Sequence, residues 1–230
     1  MSSDATAIQD RLAGFSTCEI SDALIKLGSP HGGHIPDIHM LSPSDPTTRV
    51  CGPAYTVQMV LGSDTTAPKL SAHFVDTAPV GSVVVINAPS HVKNAVWGGL
   101  MTAGAQARGA HGVIISGRCR DLAEHRAASF PVFARGHSTL GQSPFTRPSE
   151  VNVPLVIRSP DVSEEDFPAV QVSPGDWMVA DEDGVVCVPA ELAEKVIALA
   201  TRGREVDERC MQDIKAGKGV QETFKKHRGK

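Results

Sequence analysis

The residues best suited to chemistry stand in one stretch, residues 94–126, which combines glycines, a helix start and an Arg-Asp pair. Gly98 and Gly99 precede a run of alanines and long side chains, which is typical of a helix interior. Backbone amides at such a helix start can bind a small anion. Arg120 and Asp121 follow a short apolar run of the buried-strand kind. The stretch therefore predicts an anion site between a helix start and a strand exit.

Four positions at the helix start are predicted to bind the anion: Gly98, Gly99, Leu100 and Met101. The glycines let a ligand approach the backbone closely. Arg120 adds a planar guanidinium that matches a carboxylate, and ligands of open α/β sheets collect at the carboxyl ends of strands. A simpler interpretation makes Arg120 and Asp121 a solvated turn pair, because exposed ion pairs are common and weak.

Helical and strand patterns alternate along the chain and predict an α/β fold. Helices are predicted at residues 5–14, 17–27, 68–78, 101–108, 122–128 and 189–214. Strands are predicted at residues 54–61, 83–86, 113–115, 131–134, 151–157, 170–172, 177–180 and 185–188. Ser16 and Glu19 have the spacing of a capping box. Residues 29–46 and 136–149 are predicted to be loops, and the basic residues 225–230 a solvated tail.

The length of 230 residues fits one domain, residues 1–230. A net charge of −4 and an aromatic content of 4% argue against binding of nucleic acid. The sequence has no apolar run of membrane-spanning length and no secretory signal at its amino end, so we expect no membrane association and a cytoplasmic location. Five scattered cysteines without a CxxC motif are typical of reduced thiols in that compartment.

Several other residues are candidates for the site or for metal binding. Cys119 lies between two arginines, which favours a lowered thiol pKa. His91 and Lys93 lie in the loop before the central helix and are possible accessory residues. One loop carries four potential ligands, but their spacing is not that of a known metal motif, and a loop bordering a pocket is favoured: His31, His34, Asp37 and His39.

The chain resembles the RraA-like family, which includes the class II 4-hydroxy-4-methyl-2-oxoglutarate aldolases. The most specific match is Gly-Arg-x-Arg-Asp, ending at Asp121, after a helix opened by Gly-Gly-Leu. Further matching blocks span nearly the whole chain, at residues 16–24, 52–57, 174–176 and 179–186. The resemblance implies a β/β/α sandwich like the swivelling phosphohistidine domain, with flanking N- and C-terminal helices. It also implies a homotrimer or hexamer.

The resemblance further implies a metal-dependent lyase that acts on a small 2-keto acid. Such an enzyme forms pyruvate by retro-aldol cleavage of 4-hydroxy-4-methyl-2-oxoglutarate or by decarboxylation of oxaloacetate. Asp121 would be the carboxylate that holds Mg²⁺ or Mn²⁺, and Arg120 would lie beside the same oxygens. A late-helix glutamate from a neighbouring subunit, Glu205 or Glu208, is a further accessory candidate.

One position departs from the aldolase signature. The aldolases carry an acidic residue, twenty intervening residues and then Arg-Asp, and counting back from Arg120 places that acid at Gly99. The chain therefore lacks one carboxylate of the signature. Two alternatives follow: a non-catalytic RraA-like regulator that binds a protein partner, and a repurposed lyase or cyclase of specialised metabolism.

Overall fold

The computed structural model describes residues 3–163 and 165–229 as an α/β fold. In this part of the chain the α-helices are α1 (Ser3–Ala13), α2 (Thr17–Lys26), α3 (Gly99–Ala107), α4 (Leu122–Ala127), α5 (Ala193–Lys215) and α6 (Val220–Arg228). The strands are β1 (His39–Ser42), β2 (Val50–Leu61), β3 (Val83–Asn87), β4 (Gly112–Cys119), β5 (Val132–His137), β6 (Thr146–Val151), β7 (Leu155–Ile157), β8 (Val170–Val172), β9 (Trp177–Asp181) and β10 (Gly184–Val188). Two 3-10 turns lie at Phe74–Thr77 and Ala190–Leu192.

A mixed sheet organises the molecule, with strand order β1-β5-β4-β3-β2-β9-β10 and β6 paired to β2. The pairs β2–β3, β3–β4 and β4–β5 are parallel, and the pairs that flank them are antiparallel. β7 and β8 form a separate hairpin. The parallel strands are continuous apolar runs because layers of the protein cover both faces of the sheet. The carboxyl ends of β3 and β4 lie at the edge where α3 and α4 begin.

Three apolar cores join the layers. One packs a face of the parallel strands on α3 and the first 3-10 turn, with Trp97 and Phe74 among its large side chains. The second lies between the opposite face and the β7–β8 hairpin, around Ile114 and Phe133. The third packs α1, α2 and α5 on β9 and β10. The α/β sandwich with flanking terminal helices that the sequence predicts is confirmed.

α2 begins as its sequence predicts. The Ser16 side chain accepts from the amide of Glu19, and the Glu19 carboxylate accepts from the amide of Ser16 at 2.8 Å, which completes a capping box. Glu19 also binds Arg204 of α5 through both carboxylate oxygens, at 2.6 and 2.7 Å. The cap thus fixes a helix start and ties the two ends of the chain together.

The predicted helix at residues 68–78 is wrong: only the 3-10 turn Phe74–Thr77 is helical there. The segment before this turn is not helical, and side chains donate hydrogen bonds to its backbone carbonyls. Arg147 donates to the carbonyls of Asp64, Ala67 and Pro68, at 2.8, 2.8 and 2.6 Å. These carbonyls are satisfied without helical hydrogen bonds, so the proline does not begin a helix.

Four other predicted segments also need correction. The loop at residues 29–46 contains β1, and the loop at 136–149 contains the end of β5 and the start of β6. The strand at residues 151–157 is interrupted by Asn152, whose φ of 55° is left-handed, so β6 and β7 are separate. The basic tail is helical in α6 up to Arg228, because acids of α5 pair with its cations. Lys230 lies outside the described residues.

Candidate active site

The helix start and the Arg-Asp pair share one cavity of about 210 Å³. Its wall is formed by the segment from Ala95 to Met101 on one side and by Arg120 and Asp121 on another, and the loop between β5 and β6 supplies Gly141 and Gln142. The four predicted helix-start residues therefore lie with Arg120 and Asp121 around a single small space. Its size suits a small organic acid rather than an extended ligand.

Backbone hydrogen bonds hold Arg120 and Asp121 at the end of β4. The Arg120 amide donates to the carbonyl of Trp97 at 2.9 Å. Trp97 also forms a parallel bridge with Cys119, so the segment before α3 runs beside the carboxyl end of β4. Asp121 has a φ of 62° and a ψ of 41°, a left-handed conformation that is uncommon for a residue other than glycine. Backbone strain of this kind clusters at functional sites. The turn directs both side chains toward the start of α3.

Asp121 and Arg120 are paired across the helix start. Oδ2 of Asp121 accepts from the amide of Gly99 at 3.0 Å and from Nε of Arg120 at 3.2 Å. The side chains remain 31% and 46% exposed, so each keeps polar atoms that face the cavity. The pair is thus anchored to the backbone, unlike a freely solvated turn pair.

Only part of the predicted amide cluster is available to a ligand. The Gly99 amide is used by Asp121, and the Met101 amide donates to the carbonyl of Gly98 at 3.1 Å. The Leu100 amide has no acceptor within the described residues. An anion in the cavity would therefore bind the Leu100 amide and the Arg120 guanidinium.

Glu124 supplies a carboxylate at the place where a side chain of residue 99 would lie. A Cβ added to Gly99 would lie 1.5 Å from Oε2 and 2.5 Å from Cδ of Glu124. Glu124 lies three residues after Asp121, on the first turn of α4. The Glu124 carboxylate therefore fills space beside Gly99 that a side chain of residue 99 would occupy. Sequence reasoning missed it, since only the fold shows that the two positions overlap.

Two further glycines allow the close approach of backbone to these charges. A Cβ on Gly98 would lie 2.7 Å from Oδ2 of Asp121, and one on Gly141 would lie 3.0 Å from Nη1 of Arg120. The loop that carries Gly141 is fixed by the Ala95 amide, which donates to the carbonyl of Leu140 at 2.9 Å. This loop closes the cavity on the side opposite α3.

The accessory candidates do not line the cavity within the described chain. His91 and Lys93 are exposed in the loop before α3, and Glu205 and Glu208 lie on α5. The histidine-rich loop lies elsewhere. The ring centroids of His31 and His34 lie 6.3 and 6.2 Å from that of Phe167. Asp37 accepts a hydrogen bond from Ser159 at 2.8 Å.

The predicted low pKa of Cys119 is wrong. Its side chain is buried in the core beside α3, and burial raises the pKa of the thiol to about 11. Its neighbours point elsewhere, because Arg118 donates to the carbonyl of His137 and Arg120 to Asp121. Cys119 is therefore a core residue.

The oxygen atoms at this site fit Mg²⁺ or Mn²⁺ better than a metal that needs a full protein cage. Asp121 and Glu124 both have carboxylate oxygens around the start of α3. Within the described residues, no group of three or more His, Cys, Asp or Glu side chains could hold a metal. Mg²⁺ commonly binds through one or two carboxylates and keeps several waters, whereas structural zinc sites use four protein ligands.

Comparison with known proteins gives similarities that cover most of the chain. A protein of Halalkalibacterium halodurans named "Putative 4-hydroxy-4-methyl-2-oxoglutarate aldolase" is 30% identical over 168 residues, which cover 73% of each chain. A crystal structure of an uncharacterized protein from Pseudomonas syringae has a TM-score of 0.78 and 30% identity, and the match covers 95% of this chain and 97% of that one.

A third relative is much longer than this chain. Protein DlpA of Legionella pneumophila is 28% identical over 215 residues, which are 93% of this chain but 32% of that protein.

The described helices include none with the length and apolar character of a membrane span. The family model "RraA-like: Aldolase/RraA" matches residues 17–187, a segment that runs from the start of α2 to β10 and includes the whole cavity. The chain belongs to the RraA-like family.

Proposed function

We propose that the chain is a divalent-metal-dependent carbon–carbon lyase that acts on a small 2-keto acid and forms pyruvate. The observation that carries this proposal is the meeting of Arg120 and Asp121 with the start of α3 around one cavity, with the Glu124 carboxylate beside Gly99. A carboxylate-binding group and two metal-binding carboxylates are the groups that such a reaction needs. The aldolase name of the Halalkalibacterium halodurans relative supports the same reaction class.

A 2-keto acid presents a carboxylate next to a carbonyl. The Leu100 amide and the Arg120 guanidinium bind the carboxylate and orient the carbonyl oxygen toward Arg120. Breaking the C3–C4 bond leaves its electron pair on C3 as the enolate of pyruvate. In the retro-aldol reaction C4 leaves as a ketone and its hydroxyl proton passes to solvent, whereas in the decarboxylation C4 leaves as carbon dioxide. A proton from solvent then adds to C3. Negative charge develops on the carbonyl oxygen, where the Arg120 guanidinium stabilises it.

Asp121 and Glu124 would hold the metal ion in this proposal. Mg²⁺ or Mn²⁺ bound there supplies Lewis-acid stabilisation of the same developing charge. The Gly99 amide orients Asp121 through its 3.0 Å hydrogen bond to Oδ2, which leaves Oδ1 without a hydrogen-bond partner among the described residues. Glu124 takes the place of the missing acid, so the departure at Gly99 does not remove the second carboxylate.

Incubation with oxaloacetate and with 4-hydroxy-4-methyl-2-oxoglutarate, each with and without Mg²⁺, tests the proposal. Pyruvate that forms faster than in protein-free controls, and only with the metal, is the expected result. Folded protein that forms no pyruvate from either substrate would count against this function. In that case, a ribonuclease or helicase that co-purifies would favour the regulator, and turnover of a larger keto acid would favour the lyase or cyclase of specialised metabolism.

A further inference from the structure

A set of buried hydrogen-bonded side chains lies beneath the cavity and joins three segments that carry its chemistry. Nε1 of Trp97 donates to Oγ1 of Thr102 at 2.9 Å, and the same oxygen lies 2.9 Å from Nδ1 of His125. The three residues are 1%, 1% and 0% exposed. We name Trp97, Thr102 and His125 the buried network; they come from the segment before α3, from α3 and from α4.

The hydrogen-bonding capacity of the three side chains indicates which atom donates in each bond of the network. An indole N–H can only donate, so Thr102 accepts from Trp97. The Thr102 hydroxyl hydrogen donates to Nδ1 of His125 in the tautomer that carries its hydrogen on Nε2. This arrangement leaves one buried group without a partner in the described structure, the N–H at Nε2 of His125. The opposite tautomer would leave two, namely the hydroxyl hydrogen of Thr102 and Nε2. The first arrangement therefore prevails, and it requires a hydroxyl at position 102.

The backbone of each network residue is bonded to a residue of the cavity. The contacts are the Arg120 amide to the Trp97 carbonyl at 2.9 Å, the Thr102 amide to the Gly98 carbonyl at 3.1 Å, and the His125 amide to the Asp121 carbonyl at 3.3 Å. A shift of any network side chain would consequently move a backbone segment that carries Arg120, Asp121 or the start of α3.

The network gives the Trp97 indole N–H a buried acceptor. Trp97 packs in an apolar core, and a buried N–H without a partner costs free energy. An apolar side chain at position 102 would leave that N–H unpaired. The contact between Thr102 and His125 adds directional bonding, which fixes the distance between α3 and α4.

We propose that Thr102 and His125 are positioning residues that hold the Asp121 carboxylate on the Gly99 amide. The network links the helix that carries Gly99 to the helix that follows Asp121, and the hydrogen bond between these two residues, 3.0 Å long, spans the same gap at the cavity. This inference deepens the proposed function, yet the contact it explains lies within the protein and can be measured without substrate or metal.

Thr102→Val and Thr102→Ser in the full-length chain form a matched pair, because valine keeps the shape and serine keeps the hydroxyl. NMR measures the exchange of two hydrogens with solvent, the Trp97 indole hydrogen and the Gly99 amide hydrogen. In Thr102→Val we expect both rates to rise at least about tenfold, since each hydrogen loses a held acceptor. In Thr102→Ser both should stay near the wild-type rates. Thermal unfolding of each variant separates this local effect from global loss of stability.

Two results would overturn the proposal. One is a faster Trp97 indole exchange with an unchanged Gly99 amide, which would show a network without influence on the site. The other is an equal effect of valine and serine, which would point to packing. If Thr102→Val does not fold, His125→Leu and His125→Asn repeat the comparison, because asparagine retains a side-chain acceptor.

The same variants keep this inference separate from the proposed function. If wild-type protein makes no pyruvate, the lyase proposal fails, while the exchange rates still decide the role of Thr102 and His125. If wild-type protein turns over, we expect Thr102→Val to lower kcat at least about tenfold and Thr102→Ser to restore it. Equal kcat in the two variants would contradict the positioning role.

Discussion

Arg120 binds the substrate in the proposed reaction through the planar shape of its guanidinium, beyond its charge. Nε already donates to Asp121, so the remaining N–H groups are free to meet a carboxylate and a carbonyl oxygen in the cavity. A lysine ammonium is a point charge and cannot make both contacts at once. The side chain at this position should therefore be sensitive even to a change that conserves charge.

Replacing Arg120 with lysine should lower kcat/KM for the keto acid at least about tenfold, or ~1.4 kcal/mol. Arg118→Lys is the matched control, because Arg118 is two residues away and donates to the carbonyl of His137 at 3.1 Å outside the cavity. Steady-state rates of pyruvate formation measure both. Near-normal turnover in Arg120→Lys would remove the role assigned to this residue.

A carboxylate placed at position 99 should be able to replace the carboxylate of Glu124 in metal binding. Glu124→Ala should weaken Mn²⁺ binding, because one of two carboxylates is lost, and Gly99→Asp in that background should restore it. Gly99→Asp alone should bring less benefit, since its Cβ would lie 1.5 Å from Oε2 of Glu124, which must move away. Calorimetric titration of Mn²⁺ into the four proteins measures the effect.

The swap has a result that would contradict it. If Glu124→Ala binds Mn²⁺ as tightly as wild type, the carboxylate of α4 has no part in metal binding.

At this scale the sequence predicted Arg120 and Asp121 correctly as neighbours of the helix start, because the order of strand and helix places them there. It did not predict Glu124, whose relevance depends on an overlap of side-chain positions between α3 and α4.

The contact between Glu19 of α2 and Arg204 of α5 makes the free energy of unfolding depend on pH. Two hydrogen bonds from Arg204 are the main cause that lowers the pKa of Glu19 to about 2 from its ordinary value of 4.5. A carboxyl with a depressed folded pKa stabilises the fold above its unfolded pKa, and the contribution is lost as the pH falls through the folded value. This contribution should therefore be complete above about pH 4.5 and fade toward pH 2.

Glu19→Gln should flatten the pH dependence of the unfolding free energy in this acidic window and lower stability at neutral pH. Glu194→Gln is the control, because Glu194 binds Arg11 in an exposed pair with side chains 61% and 49% accessible, and such pairs contribute little. Urea unfolding between pH 2 and pH 7 measures both. A slope for Glu19→Gln equal to that of wild type would contradict the assignment.

The secondary structure was predictable where local signals decide it. The capping box at α2, the apolar runs of β3 and β4 and the hairpin of β9 and β10 all follow from neighbouring residues. The errors occur where a distant partner decides. Arg147 takes backbone carbonyls at the start of the predicted helix 68–78, and it lies about 80 residues away in sequence. Asp213 accepts from Lys226 and His227 at 2.9 Å each, which anchors α6, and these cations lie 13 and 14 residues from it.

At the scale of the whole molecule, the cavity opens at a surface with exposed apolar side chains. Leu100 is 90% exposed at the start of α3 and Leu140 is 45% exposed on the facing loop. A homotrimer or hexamer, which the family resemblance implies, would cover such side chains if its interface ran past the cavity. We expect sedimentation velocity to show an assembly of at least three chains of 24.3 kDa.

The family resemblance implies that a glutamate of α5, Glu205 or Glu208, reaches the cavity of a neighbouring subunit in such an assembly, and neither residue lines the cavity of its own chain. Subunit mixing tests this arrangement. Arg120→Ala and Glu208→Ala proteins should each be nearly inactive, and mixed assemblies should regain activity because some cavities then combine an intact Arg120 with an intact Glu208. The same experiment with Glu205→Ala identifies which glutamate acts. A monomer in solution, or full activity of both glutamate variants, would show that each cavity works with the residues of its own chain.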